Sequence, residues 1–189
     1  MSDWLRELAA VNKNGHAAAL ITVADVRGSA PREIGAKMIV TPTEIIGSIG
    51  GGQLEHQCAR LACKQFKDIS QSIMTRRYVL GANCGQCCGG VVDVMFEFFP
   101  ASRIDWLEKL IDYQENDRPV VIATSTGEAL GKYLVTIDEC EPEGPINVVG
   151  AARAILNSGK MACMFGKFLL EPISKSVFNI VIFGAGHVG

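Results

Sequence analysis

Long apolar runs are missing from this chain. No stretch approaches the roughly 18 residues that a membrane span requires. The N-terminal segment MSDWLRELAAV carries acidic residues early and has no apolar core of the kind an export signal needs. A cytoplasmic location is therefore expected. Blocks of lysine and arginine are missing too. The 18 basic residues are scattered among 189 and the net charge is −2, which argues against nucleic acid and anionic membrane as partners. No low-complexity segment stands out, and no internal repeat is expected. A disulfide framework is also disfavoured: the seven cysteines are an odd number without an export signal, so reduced thiols are expected.

What is present suits a core. The chain is 48% hydrophobic and 20% charged, and its length allows one domain or one and a half at about 100–200 residues per domain. Trp4, Leu5, Leu8 and Val11 share one helical face. The apolar run Ala17–Val26 reads as a buried strand. Lys37–Thr41 and Glu44–Ile49 flank Pro42-Thr43 as a hairpin. Leu54, Cys58, Leu61, Ala62 and Phe66 repeat at helical spacing behind three glycines. Strands are expected at Ile73–Leu80 and Val91–Phe99, with a loop at Gly81–Gly90. A second series follows: a helix marked by Ile104, Leu107, Leu110 and Ile111, then strands at Val120–Thr124 and Tyr133–Ile137. Glu139–Pro145 reads as a loop, Ala151–Leu156 as a short helix, and Met161–Phe165 and Phe168–Leu170 as strands. The irregular alternation predicts a mixed-sheet α/β or α+β domain over 1–171. A linker is expected over 172–176 and a further apolar strand over 177–183.

That last strand runs into Gly184, Gly186 and Gly189, a G-x-G-x-x-G in the position of a Rossmann phosphate turn. The chain ends there, so 177–189 is expected to be only the start of a Rossmann-like domain. The helix and the downstream acidic residue that would hold a dinucleotide are not in it. NAD(P) binding is therefore not expected of this chain.

Three segments of the main domain carry candidate chemistry. In RGSAPREIGAK, Arg27, Arg32 and Lys37 place three cations in eleven residues, with Ser29 among them. Arginine grips phosphate with two parallel hydrogen bonds and the serine hydroxyl adds a donor; a turn with solvated charges is the alternative. In GSIGGGQLE, Gly50, Gly51, Gly52 and Gln53 open a helix, where backbone N–H groups and the helix dipole favour an anion. No lysine follows, so this is not a Walker loop; a tight strand-to-helix turn is the alternative. In GANCGQCCGG, glycines bracket Cys84, Gln86, Cys87 and Cys88 between two strands, and thiolates there suit a soft metal. A zinc site would need a second matching pair, which the sequence does not supply. Cys58, Cys63, Cys140 and Cys163 read as core or incidental thiols. His16, His56 and His187 share no ligand spacing. Asp93 and Glu97 fall on one strand face and read as structural or solvent-facing. No catalytic residue is assigned.

Taken together, RGSAPREIGAKMIV, IIGSIGGGQLE, GQCCGG before a strand, and IVIFGAGHVG resemble the xanthine dehydrogenase accessory factor family (XdhC/CoxI type). The resemblance implies a chaperone for the molybdenum cofactor (molybdopterin), bound transiently. It further implies sulfuration with a cysteine desulfurase, delivery to a xanthine dehydrogenase-type molybdenum hydroxylase, and a homodimer. Arg27, Ser29, Arg32, Lys37 and the glycine turn would then take the phosphate. Gln86, Cys87 and Cys88 would approach the metal, with Cys87 and Cys88 as contacts to molybdenum. Other readings of the same residues are a sulfurtransferase carrying persulfide on Cys87 or Cys88, a nicotinamide-dependent oxidoreductase at full length, and a small cysteine-ligated metal protein.

Overall fold

The computed structural model describes residues 3–66, 72–81, 89–101, 104–127 and 131–173. In chain order the elements are α1 (Asp3–Lys13), β1 (Ala18–Arg27), β2 (Lys37–Val40), β3 (Ile45–Gly47), α2 (Gly52–Gln65), β4 (Ile73–Val79) and β5 (Val91–Phe99). There follow α3 (Asp105–Glu115), β6 (Val120–Ser125), β7 (Lys132–Val135), β8 (Cys140–Glu141), α4 (Ile146–Ser158), β9 (Cys163–Phe165) and β10 (Phe168–Ile173). The strands form two five-stranded sheets, ordered β3-β2-β1-β5-β4 and β8-β7-β6-β10-β9. All described pairings are antiparallel. The expected combination of helices and sheets is thus observed, in its α+β form.

Burial explains the apolar runs. The two faces of β1 pack into different cores, so most of the strand is buried and reads as unbroken hydrophobic sequence. Leu54, Cys58, Ala59 and Ala62 of α2 cover Ile21, Val23, Val94 and Phe96 on one face of the first sheet. Val148, Ala152 and Ile155 of α4 cover Val121, Ala123 and Leu170 of the second. Between the sheets, Leu5 and Leu8 of α1 and Leu107 and Leu110 of α3 share a single core with Leu20, Ile39, Ile122 and Leu134.

The sequence expectation of no internal repeat is overturned. Both halves run α-β-β-β-α-β-β, and both sheets have the same strand order. Registers agree residue for residue. Thr22 lies opposite Lys37 as Thr124 lies opposite Lys132, and Leu20 opposite Glu97 as Ile122 opposite Glu171. The tight turns also match. Thr41 and Thr136 each donate N–H to the carbonyl of Glu44 or Glu139 at 2.9 Å, and each threonine Oγ1 accepts the returning N–H at 3.0 Å. Sequence identity survives mainly where this geometry needs it, as DWLRELAA against DWLEKLID and KMIVTPTE against KYLVTIDE.

The halves are locked by a reciprocal pair of buried ion bridges. Lys37 of the first half donates to Glu171 of the second at 2.6 Å and to Thr22 at 3.0 Å. Lys132 of the second half meets Glu97 of the first at 2.8 Å and donates to Thr124 at 2.9 Å. Each ammonium also lies over the equivalent tryptophan, Trp4 at 4.9 Å and Trp106 at 4.3 Å. The four side chains are 4%, 5%, 12% and 2% exposed for Lys37, Glu171, Lys132 and Glu97. Charges this dry persist only when paired and hydrogen-bonded.

Three local expectations change. The stretch expected as loop 139–145 contains β8, whose two residues pair with Leu134 and Val135. Helix α4 begins five residues before Ala151, because packing of Val148 outweighs the poor helix propensity of its β-branched and glycine residues. Strand β10 continues through Pro172 to Ile173, so the first residues of the expected linker lie in the sheet. The expected strand 177–183 and the turn at Gly184, Gly186 and Gly189 lie outside the described residues.

Candidate functional site

The register brings the unusual segments to one end of the first sheet. Arg27 at the end of β1 lies opposite Val91 at the start of β5, which lies opposite Val79 at the end of β4. Gly47 at the end of β3 lies opposite Met38 near the start of β2. The loops that leave these ends carry Arg27–Lys37, Ser48–Gly52 and the cysteine segment. In the second half, only two residues separate β9 from β10, where eleven separate β4 from β5.

Backbone contacts hold the three segments together. The Gly90 N–H donates to Ser29 O at 3.0 Å, and the Leu80 N–H to Gly90 O at 2.9 Å. A Cβ on Gly90 would stand 2.2 Å from Ser29 O, so only glycine allows this approach. Arg32 donates to Ser48 O at 3.3 Å, and Pro31 packs so tightly on Gly50 that a Cβ there would meet its Cγ at 2.3 Å. Leu80 and Gly90, which flank the cysteine segment, are thus tied to the Arg27–Arg32 loop at Ser29. Gln86, Cys87, Cys88 and Cys84 themselves lie outside the described residues.

The predicted cations divide. Arg27 is 59% exposed and pairs with Asp25 at 3.2 Å and Asp93 at 3.5 Å. Arg32 is 41% exposed and pairs with its neighbour Glu33 at 3.2 Å. Exposed pairs of this kind are worth about 0–1 kcal/mol and exchange readily for another anion. Lys37 is different. Its ammonium is buried in the Glu171 bridge, where it acts as a structural ion, while its side chain also borders the cavity that Arg32 lines.

The glycine turn also departs from expectation. Its N–H groups were expected to be open to an external anion, but Glu55 takes that of Gly51 and Ser48 takes that of Gly50. Glu55 Oε1 accepts the Ser48 hydroxyl at 2.6 Å, the Gly51 N–H at 2.8 Å and the Ile49 N–H at 2.9 Å. Partial burial pushes the Glu55 carboxyl upward, but these donors outweigh it and hold it below the usual carboxylate range. The Gly50 N–H donates to Ser48 Oγ. Glycine is still required, because Gly50, Gly51 and Gly52 have φ of 126°, 76° and 62°. Gly52 and Gln53 are exposed at the start of α2. Sequence reasoning missed the role of Glu55; an acidic residue four positions after the middle glycine was the available signal.

Two further groups complete the rim. Asp93 accepts two hydrogen bonds from Arg77, at 2.7 and 2.8 Å. This bidentate contact holds its carboxyl below the ordinary range against the opposing effect of burial, and Arg27 adds to the lowering. Asp93 and Glu97 are both structural, as expected. Beside the loops a cavity of about 530 Å³ opens, walled by Trp4, Glu7, Arg32, Ile39, Ile46 and Ser48. It is of the size that small-molecule sites occupy, roughly 300–1,000 Å³. Cys58 is a core residue, as expected, and Cys63 is exposed. Among the described residues there is no cluster of three or more metal-ligating side chains, and no helix long and apolar enough to cross a membrane.

Fold and site therefore define a duplicated α+β domain in which one copy carries an elaborated loop cluster. Residues 12–78 match the XdhC and CoxI family model, so the resemblance read from the motifs is borne out across β1 to β4. That segment includes the arginine loop and the glycine turn. No curated protein matches the chain. Among solved structures, a crystal structure named as a xanthine dehydrogenase from Bacillus halodurans aligns with a TM-score of 0.69 at 18% identity, covering 92% of this chain and 53% of that one. The likeness is one of fold, and the chain spans about half the length of that structure.

Proposed function

We propose that this domain is an accessory factor that binds the molybdenum cofactor, assists its sulfuration together with a cysteine desulfurase, and delivers it to a xanthine dehydrogenase-type hydroxylase. The observation that carries this reading is the gathering of the arginine loop, the glycine turn and the roots of the cysteine loop at one sheet end. The family match over the first two segments supports it.

The residues fit an anionic, soft-metal ligand. Arg27 and Arg32 hold only weak surface pairs, so a phosphate displaces Asp25, Asp93 or Glu33 at small cost. The Ser29 hydroxyl adds a donor beside them. With Glu55 filling the glycine nest, the phosphate is assigned to the arginine loop. Gly47 and Ser48, which lead into the glycine turn, wall the cavity, and Gly52 and Gln53 are exposed beyond it. Gln86, Cys87 and Cys88 are assigned to the metal end, because soft thiolates suit molybdenum. When bound, the cofactor supplies the metal and its sulfur ligands; the chain supplies charge, walls and thiols. A homodimer belongs to the same proposal.

The test is co-elution. Free molybdenum cofactor is mixed with the chain, and the protein fraction from gel filtration is assayed for molybdenum and pterin. Stoichiometric retention that is lost in Arg32→Ala and Cys87→Ser is the expected result. Retention unchanged in both variants would remove the site from this loop cluster.

A further inference from the structure

Comparison of the two halves exposes a second cationic feature that the scaffold does not require. A groove of about 180 Å³ lies between α2 and the edge strand β4, lined by Gln57, Arg60, Leu61, Lys64, Arg76 and Tyr78. Arg60 and Lys64 stand one turn apart on the same helix face, and Arg76 faces them from the strand. All three are exposed, and none has an ion-pair partner among the described residues. The floor is Leu61 and the buried ring of Tyr78. The second half supplies an internal control. Helices α2 and α4 align with Leu54 on Val148 and Cys58 on Ala152, which sets Arg60 on Ala154 and Lys64 on Ser158. The sheet registers set Arg76 on Phe165. The same architecture folds with three neutral residues there, so the three charges answer to something other than folding.

We propose that this groove is a binding site for a phosphate-bearing small molecule, distinct from the loop cluster and additional to the proposed cofactor role. Three cations converge on a hollow just large enough for a phosphate and part of an attached ring. Guanidinium groups supply paired donors to its oxygens. The apolar floor of Tyr78 and Leu61 lies against the attached ring, and the charged rim takes the phosphate. Attraction of this exposed kind weakens as salt rises.

The experiment is isothermal titration of the full chain at low salt with inorganic pyrophosphate and, separately, with a nucleoside monophosphate. Saturable binding is expected, weakened about tenfold or more in the double variant Arg60→Gln/Arg76→Gln. It should be retained in the charge-matched control Lys13→Gln/Lys160→Gln, which removes two exposed cations that do not line the groove. An unchanged thermal midpoint in the double variant, expected because the second half carries neutral residues there, assigns the loss to binding. Tighter nucleotide than pyrophosphate binding identifies an ester whose ring uses the Tyr78 floor. Equal binding identifies the phosphate group alone. Absence of saturable binding by both probes, or equal affinity in the double variant, overturns the proposal. The co-elution assay at Arg32 and Cys87 reads the other site, so failure of either proposal is recognisable by itself.

Discussion

Replacing Lys37 by methionine removes the ammonium from the tightest of the two bridges between the halves. The substitution keeps most of the side-chain volume and leaves Glu171 buried at 5% exposure without its 2.6 Å partner. Loss of one member of a buried pair costs about 3–5 kcal/mol, because the remaining charge must stay dry and unpaired or take up a proton. Thr22 loses its 3.0 Å contact and Trp4 its cation as well. A domain of this size has about 5–15 kcal/mol in total, so the change consumes a large share of it. Urea unfolding followed by circular dichroism measures the effect as a lower midpoint at similar slope. The double variant Lys37→Met/Glu171→Leu removes both charges and should recover most of the loss, since an apolar pair of similar volume is often neutral. A Lys37→Met loss below about 1 kcal/mol, or a double variant no better than the single, would refute the account of Lys37 as a structural ion and return it to the list of ligand contacts.

The remaining expectations concern the loop cluster. Glu55→Gln should destabilise by about 1–2 kcal/mol through loss of charge-assisted acceptors for Ser48, Ile49 and Gly51. Because the folded Glu55 carboxyl lies below its ordinary value, its stabilisation is full above the unfolded carboxylate pKa and fades as pH falls through the folded one. Acid unfolding of Glu55→Gln should accordingly be flatter than that of the parent across this range, and parallel curves would dismiss the capping role. Gly90→Ala places a methyl carbon against Ser29 O and should cost about 1–3 kcal/mol. If the three segments act as one unit, the same change should reduce cofactor retention in the gel-filtration assay even though Gly90 carries no ligand group.

Much of the fold was legible because burial writes itself into periodicity. The apolar run of β1, the face of α2 and the strands β5 and β6 all announce themselves. β8 did not, because ECEPEGP has loop composition and only pairing with β7 makes two of its residues a strand. The start of α4 was hidden by β-branched residues whose packing overrides propensity. The duplication escaped because the halves share identity chiefly at the DWL segment and the Lys–Val–Thr–Glu positions of the β2–β3 and β7–β8 hairpins. Register, which no periodicity reports, is what equates them. At the candidate site, residue types pointed to the right loops but not to their states. Lys37 and Arg27 look alike in sequence, and only the fold shows that one is buried against a distant glutamate while the other is exposed.

The crossed bridges have a consequence for how this protein changes over time. Each lysine is in one half and its carboxylate is in the other, so neither half carries its own counter-charge. A half-length fragment would leave a lysine and a glutamate from two broken bridges without partners. Descent from a single duplicated unit would thus leave two copies that can drift apart at their loops, as the first copy has done around Arg27 and Gly50, but at the four charged positions only in cross-half pairs. The copies remain mutually dependent there, and innovation at one sheet end rests on a lock that both must keep.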